Sequence, residues 1–176
     1  MSSFKEALQR SSSTGIIRRL TSGEVLTVRF LYEMEDEVGW CHLWGYYDED
    51  LKRTIYIDKQ PTKEQRRKRI YKDHFFAVAI AEDTGEAHVF ELRKSLAISL
   101  NEHEVEYGSI SDRPYKLRRK GEGLETKYSS TPLDKSELTK EEKKVRKGTQ
   151  DLLDQAMDIL LDVPDDDDDD IESDWD

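Results

Sequence analysis

The chain has 176 residues, of which 35% are apolar and 38% charged, and its formal net charge at pH 7 is −11. This length predicts one domain with tails, and the single cysteine, Cys41, excludes an internal disulfide and a cysteine-rich zinc ribbon. No segment approaches the roughly 18–20 apolar residues of a membrane span, and the N-terminus lacks the apolar run of a signal peptide. We therefore expect an intracellular, cytoplasmic protein that does not contact membranes.

Short strands dominate the predicted elements. Residues 1–14 are rich in serine and predict a flexible arm. Runs of β-branched and aromatic residues between turn signals predict strands over residues 24–32, 40–47, 52–57, 75–81, 87–92, 113–120 and 124–128. The turn from Asp83 to Gly85 joins one pair of these strands, and the turn from Gly121 to Gly123 joins the last pair.

One helix is predicted between the strands. Leu96, Leu100 and Tyr107 have helical spacing, which indicates a helix over residues 94–107. Short antiparallel strands with a helix before the last hairpin suit a small barrel. We expect a mostly β (α+β) protein, with an OB-fold-like barrel of five to six strands over residues 15–133.

A basic insertion interrupts this pattern over residues 59–72. Pro61 suits the first turn of a helix, so the segment is predicted to be a short helix or a mobile loop. It carries one acid, Glu64, against the bases Lys59, Lys63, Arg66, Arg67, Lys68, Arg69 and Lys72. This local charge of +6 favours an anionic ligand.

The C-terminal part is predicted to be a linker and a helix, over residues 134–163. Thr139 and Glu142 form a capping-box pattern, and Pro164 ends the helix. The apolar residues that follow the cap form one stripe, which either docks on the barrel or mediates self-association. The sequence leaves both destinations open.

An acidic tail over residues 164–176 completes the chain. Its last twelve residues carry nine acids, so residues 1–164 have a formal charge of only −2. Consecutive aspartates repel one another and predict disorder. A terminal indole is not explained by solubility, so the tail is expected to bind a partner through Asp165, Asp166, Asp167, Asp168, Asp169, Asp170, Asp174 and Trp175.

Aromatic residues interleaved with bases form the candidate binding site. Aromatic rings stack on unpaired bases, and lysine and arginine neutralise phosphates. The predicted DNA-binding residues are Trp40, Trp44, Tyr46, Arg53, Tyr56, Lys63, Arg66, Arg67, Lys68, Arg69, Lys72, Arg113, Tyr115, Lys116, Arg118, Arg119, Lys120, Lys127 and Tyr128. The alternative for each ring is a place in the barrel core.

Metal binding and catalysis are not expected. Cys41 and His42 are adjacent on a strand and point to opposite faces, and no metal-ligand spacing joins the remaining histidines. The chain has no phosphate-binding loop, zinc-protease motif or nucleophile elbow. We expect no cofactor and no enzymatic activity.

The order of these features resembles the single-stranded DNA-binding (helix-destabilising) proteins of tailed phages. The most specific piece runs from Lys120 to Tyr128, with Gly121, Gly123, Leu124 and Thr126 in place. Further matching segments are 28–31, 89–96, 107–113, 115–128 and 131–132. The resemblance covers about residues 15–133. It implies an OB-fold that coats unpaired DNA in replication, recombination and repair. It also implies host cytoplasm as the location and a tail that recruits replication proteins such as a polymerase, helicase or primase.

The chain departs from that family in one region. Many members carry a cysteine-rich zinc module between the third strand and the apolar strand, where this chain has the basic residues 59–72 and no cysteine. The resemblance therefore does not imply a zinc site in this chain. Two other functions stay open: a phage regulator that binds host transcription or replication machinery by DNA mimicry, and an RNA-binding OB protein.

Overall fold

Residues 14–162 are described by a computed structural model of the chain. The acidic tail, and the predicted arm except for its last residue, lie outside the described residues. The strands are β1 (Ile17–Arg18), β2 (Val25–Phe30), β3 (Trp40–Asp48), β4 (Arg53–Ile57), β5 (Lys72–Ala81), β6 (Ala87–Leu92), β7 (Tyr115–Lys120) and β8 (Lys127–Pro132). The helices are α1 (Lys63–Lys68), α2 (Lys94–Tyr107), α3 (Lys140–Lys147) and α4 (Leu152–Leu160).

One sheet contains all of these strands, in the order β1-β6-β5-β2-β7-β8. The long strand β5 organises it, because β6 pairs along one edge while β3 and β2 share the other. On that edge Cys41 pairs with Phe76 and Phe30 pairs with Ala79. β4 extends the sheet from β3 as a hairpin. All the pairings are antiparallel except the short contact of β1 with β6.

The sheet is open in the described residues, so the predicted closed barrel is not seen. No pairing joins β8 to β6 or β1, and β8 packs instead against α2. The expected mostly β, α+β class is confirmed. The strand β1 is absent from the sequence prediction.

The core fills the space between the sheet and the helices. Phe30, Phe76 and Phe90 are fully buried, as are Leu96 and Leu100 on the inner face of α2. The helix α2 has the predicted bounds and ends at Gly108, whose φ of 80° provides a left-handed cap. No described helix is long and apolar enough to cross a membrane.

The C-terminal helix differs from the prediction, because two helices replace one. The predicted capping box forms, since the Thr139 side chain accepts from the amide of Glu142. The chain then turns at Thr149, whose hydroxyl lies 2.9 Å from that of Tyr32. Leu153 and Ala156 of α4 are buried against the sheet. The apolar stripe therefore docks on its own domain, one of the two destinations left open.

Candidate nucleic-acid interface

Three adjoining concavities run across one side of the molecule. The first, of about 740 Å³, lies between α1 and the β3–β4 hairpin. The second, of about 400 Å³, shares His74 and Arg93 with the first. The third is smaller and shares Arg19, Glu91 and Arg93 with the second. Because neighbouring concavities have walls in common, they form one depression, which we call the cationic channel.

The lining of the cationic channel carries more positive than negative charge. Its bases are Arg19, Arg53, Arg66, Arg67, Lys68, Arg69, Lys72, Arg93 and Arg119. Its acids are Asp48, Glu49, Asp50 and Glu91. The Asp48 carboxylate is engaged, since Oδ1 accepts from the amides of Asp50 and Leu51 at 2.9 Å. The channel therefore presents an excess of cations, although the whole chain is acidic.

The basic wall is positioned by α1. Thr62 and Gln65 form a capping box that starts this helix, and it ends at Arg69. The Arg69 guanidinium carbon lies 4.4 Å from the ring centroid of Tyr46, which joins α1 to β3. Arg66, Arg67 and Lys68 are exposed and line the first concavity. The segment of highest positive charge thus forms one side of the channel.

A buried polar network forms the floor. Glu91 of β6 is 6% exposed at its side chain and accepts from Arg19 Nε at 2.5 Å, while its other oxygen lies 2.6 Å from Nδ1 of His74. The Tyr56 hydroxyl donates to the same carboxylate at 3.1 Å and accepts from Arg19 at 3.2 Å. The parallel pairing of β1 with β6 brings Arg19 beside Glu91, so Arg19 can take part in this network.

The network shifts the pKa values of its members. Burial raises the pKa of Glu91, but the hydrogen bond from His74 and the charge of Arg19 outweigh burial, so the pKa lies below the ordinary value. Burial and the charge of Glu91 raise the pKa of Tyr56 to about 12. Glu91 is therefore ionised and Tyr56 neutral at pH 7, and the floor is a fixed set of charges and donors.

Several predicted site residues meet in the channel. These are Tyr46, Arg53, Tyr56, Arg66, Arg67, Lys68, Arg69, Lys72, Arg119 and Tyr128. The Tyr56 ring itself is buried, so only its hydroxyl reaches the floor. The tyrosines and the cluster 66–69, far apart in sequence, are thus brought to one surface.

Other predicted residues lie elsewhere. Trp40 is 8% exposed and Tyr115 is fully buried, so neither ring is open to a DNA strand as the predicted binding set requires; both rings pack on Phe30. Trp44 is half-buried and packs edge-on against His42, with 4.6 Å between the ring centroids. Trp40 pairs with Ala77 in the stretch of β5 where residues 76–81 are all buried, which accounts for its place in the core.

The bases of residues 113–120 are divided between the two faces of β7 by strand alternation. Arg119 points to the side of Leu117 and reaches the channel, whereas Lys116, Arg118 and Lys120 are exposed and do not line it. Lys63 and Lys127 are also exposed and outside the lining. The Arg113 guanidinium carbon lies 3.7 Å from the centroid of the Tyr107 ring, and Asp112 pairs with its Nε at 2.9 Å. The Arg113 guanidinium therefore already has an ion-pair partner and a ring contact within the chain.

Among the channel residues missing from the sequence prediction, three carry a permanent cation or an exposed ring. Arg19 follows a strand of two residues, which is too short to show periodicity. Arg93 immediately precedes α2 and lines all three concavities. Tyr47 is 58% exposed and lines the first two. For Arg93, a base directly before a predicted helix is the available signal, since helix N-termini attract anions.

The described chain ends beside the channel. Ile159 and Leu160, in the last turn of α4, line the second concavity together with Arg19, Arg53 and Arg93. In the sequence, the acidic run begins five positions after Leu160.

The described residues contain no cluster of three or more His, Cys, Asp or Glu side chains suited to a metal ion. Burial raises the pKa of the Cys41 thiol to about 12, and its sulfur lies 3.4 Å from that of Met157. Cys41 is thus a protonated thiol packed under α4.

Compared with known proteins, the chain matches no family model, no curated protein and no solved structure. The resemblance to phage single-stranded DNA-binding proteins stays a prediction from the sequence.

Proposed function

We propose that the protein binds single-stranded DNA in the cationic channel. The observation that carries the proposal is the continuity of the three concavities, in which a basic helix, tyrosine rings and a row of arginines share one surface. Arginine and lysine neutralise the phosphates of a strand, and tyrosine rings stack on its bases. A duplex hides its base faces, so a site built on stacking favours unpaired strands.

The strand connections support an OB-fold as the finer architecture. The order β6-β5-β2-β7-β8, with α2 between β6 and β7, follows that fold without the pairing that would close β6 on β8. In this correspondence β5 and β6 are the second and third strands, whose face binds oligonucleotides. His74 and Glu91 of the channel floor lie on these two strands. The fully exposed Leu124 lies in the loop between the last two strands, which also contributes to binding in that fold.

The biological role follows from this binding and from the sequence resemblance. The protein coats unpaired DNA during phage replication, recombination and repair, in the cytoplasm of the host. The acidic tail recruits replication proteins. By binding the open strand, the protein lowers the melting temperature of a duplex through mass action.

A titration tests the proposal. Fluorescence anisotropy of a labelled oligo-dT is measured with increasing protein over a series of salt concentrations, with unlabelled duplex DNA of equal length as competitor. We expect saturable binding that weakens with salt, with a slope of about −0.7 per phosphate contact, and poor competition by the duplex. Equal competition by the duplex would remove the single-strand claim, and tighter binding of oligo-U would favour RNA instead. Absence of binding at low salt would overturn the proposal.

A further inference from the structure

The third concavity of the channel is a small pocket enclosed by arginines. Its volume is about 40 Å³, and it is lined by Arg19, Arg93 and Arg119 together with Glu91, Tyr128 and two leucines. The three arginines come from the end of β1, from the start of α2 and from β7. The fold thus brings together cations that are separated by 74 and by 26 positions in sequence.

The side chains that line this pocket carry more positive than negative charge. Three guanidiniums face one carboxylate, that of Glu91, which accepts from Arg19 Nε at 2.5 Å. Glu91 is also bound by His74, with 2.6 Å between Nδ1 and the carboxylate oxygen. Neither Arg93 nor Arg119 forms an ion pair in the described part of the chain. Two positive charges are therefore left for a ligand.

Hydrogen-bond donors in the pocket are also unused. Arg119 donates through Nη1 to the Leu20 carbonyl at 2.9 Å, but its Nε is buried and has no acceptor among residues 14–162. The Arg93 side chain makes no hydrogen bond in the same residues and does not cap α2. A buried donor without an acceptor is costly, so such a group is expected to meet an acceptor when the site is filled.

The remaining lining suits one phosphate attached to a nucleoside. The guanidinium of Arg119 lies 5.8 Å from the ring centroid of Tyr128, which places an aromatic face beside the cations. Leu96, in the first turn of α2, is also part of the lining, so the uncapped start of a 14-residue helix borders the pocket and adds positive potential. Guanidinium groups bind phosphate oxygens through paired, charge-assisted hydrogen bonds.

We propose that this pocket binds a single phosphate group of the nucleic acid, held by Arg19, Arg93 and Arg119. The inference rests on the proposed function and adds an anchor that fixes the strand at one end of the channel. The phosphate comes either from a terminal monoester, which carries a charge of about −1.5 to −2 at pH 7, or from an internal diester with one negative charge. The two positive charges left in the pocket match the monoester more closely.

Arg93→Gln is the sharpest variant, because this exposed side chain forms no hydrogen bond or ion pair within residues 14–162 that the substitution would remove. Lys144→Gln is the matched control, since it removes one exposed positive charge on α3, outside the channel lining. The full-length wild-type protein and both variants are titrated with three oligo-dT strands of equal length, carrying a 5′-phosphate, a 3′-phosphate or no terminal phosphate.

The anchor predicts a roughly tenfold loss of affinity for Arg93→Gln and little change for Lys144→Gln. If the site takes a terminal monoester, one phosphorylated strand binds wild type more tightly than the unphosphorylated strand, and Arg93→Gln abolishes that difference. If it takes an internal diester, the three strands bind alike and Arg93→Gln weakens all of them equally. Equal effects of Arg93→Gln and Lys144→Gln on every strand would overturn the inference while leaving single-strand binding intact.

Inorganic phosphate separates this inference from the proposed function. Its ³¹P resonance is expected to broaden with wild type and much less with Arg93→Gln. Broadening without oligonucleotide binding would support the pocket and overturn the proposed function. If wild type binds oligonucleotides, but wild type and Arg93→Gln are indistinguishable in both measurements, the proposed function is supported and the phosphate pocket is overturned.

Discussion

Arg69 covers one face of the Tyr46 ring, with 4.4 Å between its guanidinium carbon and the ring centroid. Tyr71 packs edge-on against the same ring, at 5.3 Å between centroids. Tyr46 therefore already has partners in the described structure, whereas its neighbour Tyr47 is 58% exposed on the channel wall. This contrast makes Tyr47 the ring most open to an incoming base.

We expect Tyr47→Ala to weaken oligo-dT binding by about 1–3 kcal/mol, the usual contribution of one stacked base. Its melting temperature should stay close to wild type, because little of the side chain is buried. Trp40→Phe is the matched aromatic control, because it changes a buried ring on the same strand. It removes the hydrogen bond from Trp40 Nε1 to the Tyr32 carbonyl at 2.7 Å. That variant should lose about 1–2 kcal/mol of unfolding free energy and keep its DNA affinity. Anisotropy titration and thermal denaturation measure the two effects, and the reverse pattern would contradict the site.

Removing charge from α1 should reduce both the affinity and its dependence on salt. A variant with glutamine at Arg66, Arg67 and Lys68 is expected to lose about 0.7 from the salt slope for each phosphate contact removed. The matched control places glutamine at Lys116, Arg118 and Lys120, three exposed bases of β7 outside the channel lining. If both triple variants behave alike in salt titrations, the bound strand does not follow the channel.

Deleting residues 165–176 should strengthen oligo-dT binding. Leu160 lines the channel and precedes this segment by five positions, so we expect its nine acids to compete with phosphates for the channel bases. We expect a several-fold gain in affinity at about 50 mM salt, with a smaller gain at about 200 mM because ions screen the competition. A chain of full length with asparagine at positions 165–170 is the control for charge. An unchanged or weaker affinity of the truncated protein would refute competition by the tail.

Glu91→Gln is expected to affect stability and binding in opposite directions. The variant leaves Arg19 and His74 without their carboxylate, which should cost about 1–3 kcal/mol of unfolding free energy at pH 7. It also removes a negative charge from the channel floor, so oligo-dT should bind more tightly.

The stability cost should depend on pH. The pKa of Glu91 is lowered in the folded state from an ordinary value of 4.5. The stabilisation is therefore complete above that value and is lost as pH falls through the lower, folded pKa. Urea denaturation between pH 7 and pH 3 should show the difference between wild type and Glu91→Gln shrinking below about pH 4.5. A difference that stays constant over this range would contradict the role assigned to the charge.

Local patterns were sufficient for most of the secondary structure. Alternation and turn signals predict the strands β2 to β7 within three positions, and the Leu96 to Leu100 spacing predicts α2 with its observed bounds. The last strand is predicted over residues 124–128, but residues 123–125 form a 3₁₀ turn and β8 runs from Lys127 to Pro132. The capping box at Thr139 also forms as predicted. These features depend on neighbours a few residues away, which the sequence displays directly.

Long-range contacts decided the rest. Period-two alternation divides β3 into two faces, but only its position against β5 determines that Trp40 is covered while Tyr47 is exposed. Likewise, in the turn that follows α3 the Thr149 hydroxyl meets that of Tyr32, 117 positions earlier in the chain. Arg19 reaches the site through pairing of β1 with a strand about 70 residues away. Sequence patterns of short range carry no information on such pairs.

The helix α1 has no buried residue, whereas the opposite side of the channel rests on Glu91, His74 and Tyr56 within the sheet. The backbone amides of α1 should therefore exchange with solvent through local openings that cost far less free energy than global unfolding. The channel thus combines a rigid side with a compliant one. Under the proposed function, we expect such a compliant helix to adjust to purines and pyrimidines of different size, so that affinity does not depend on base identity.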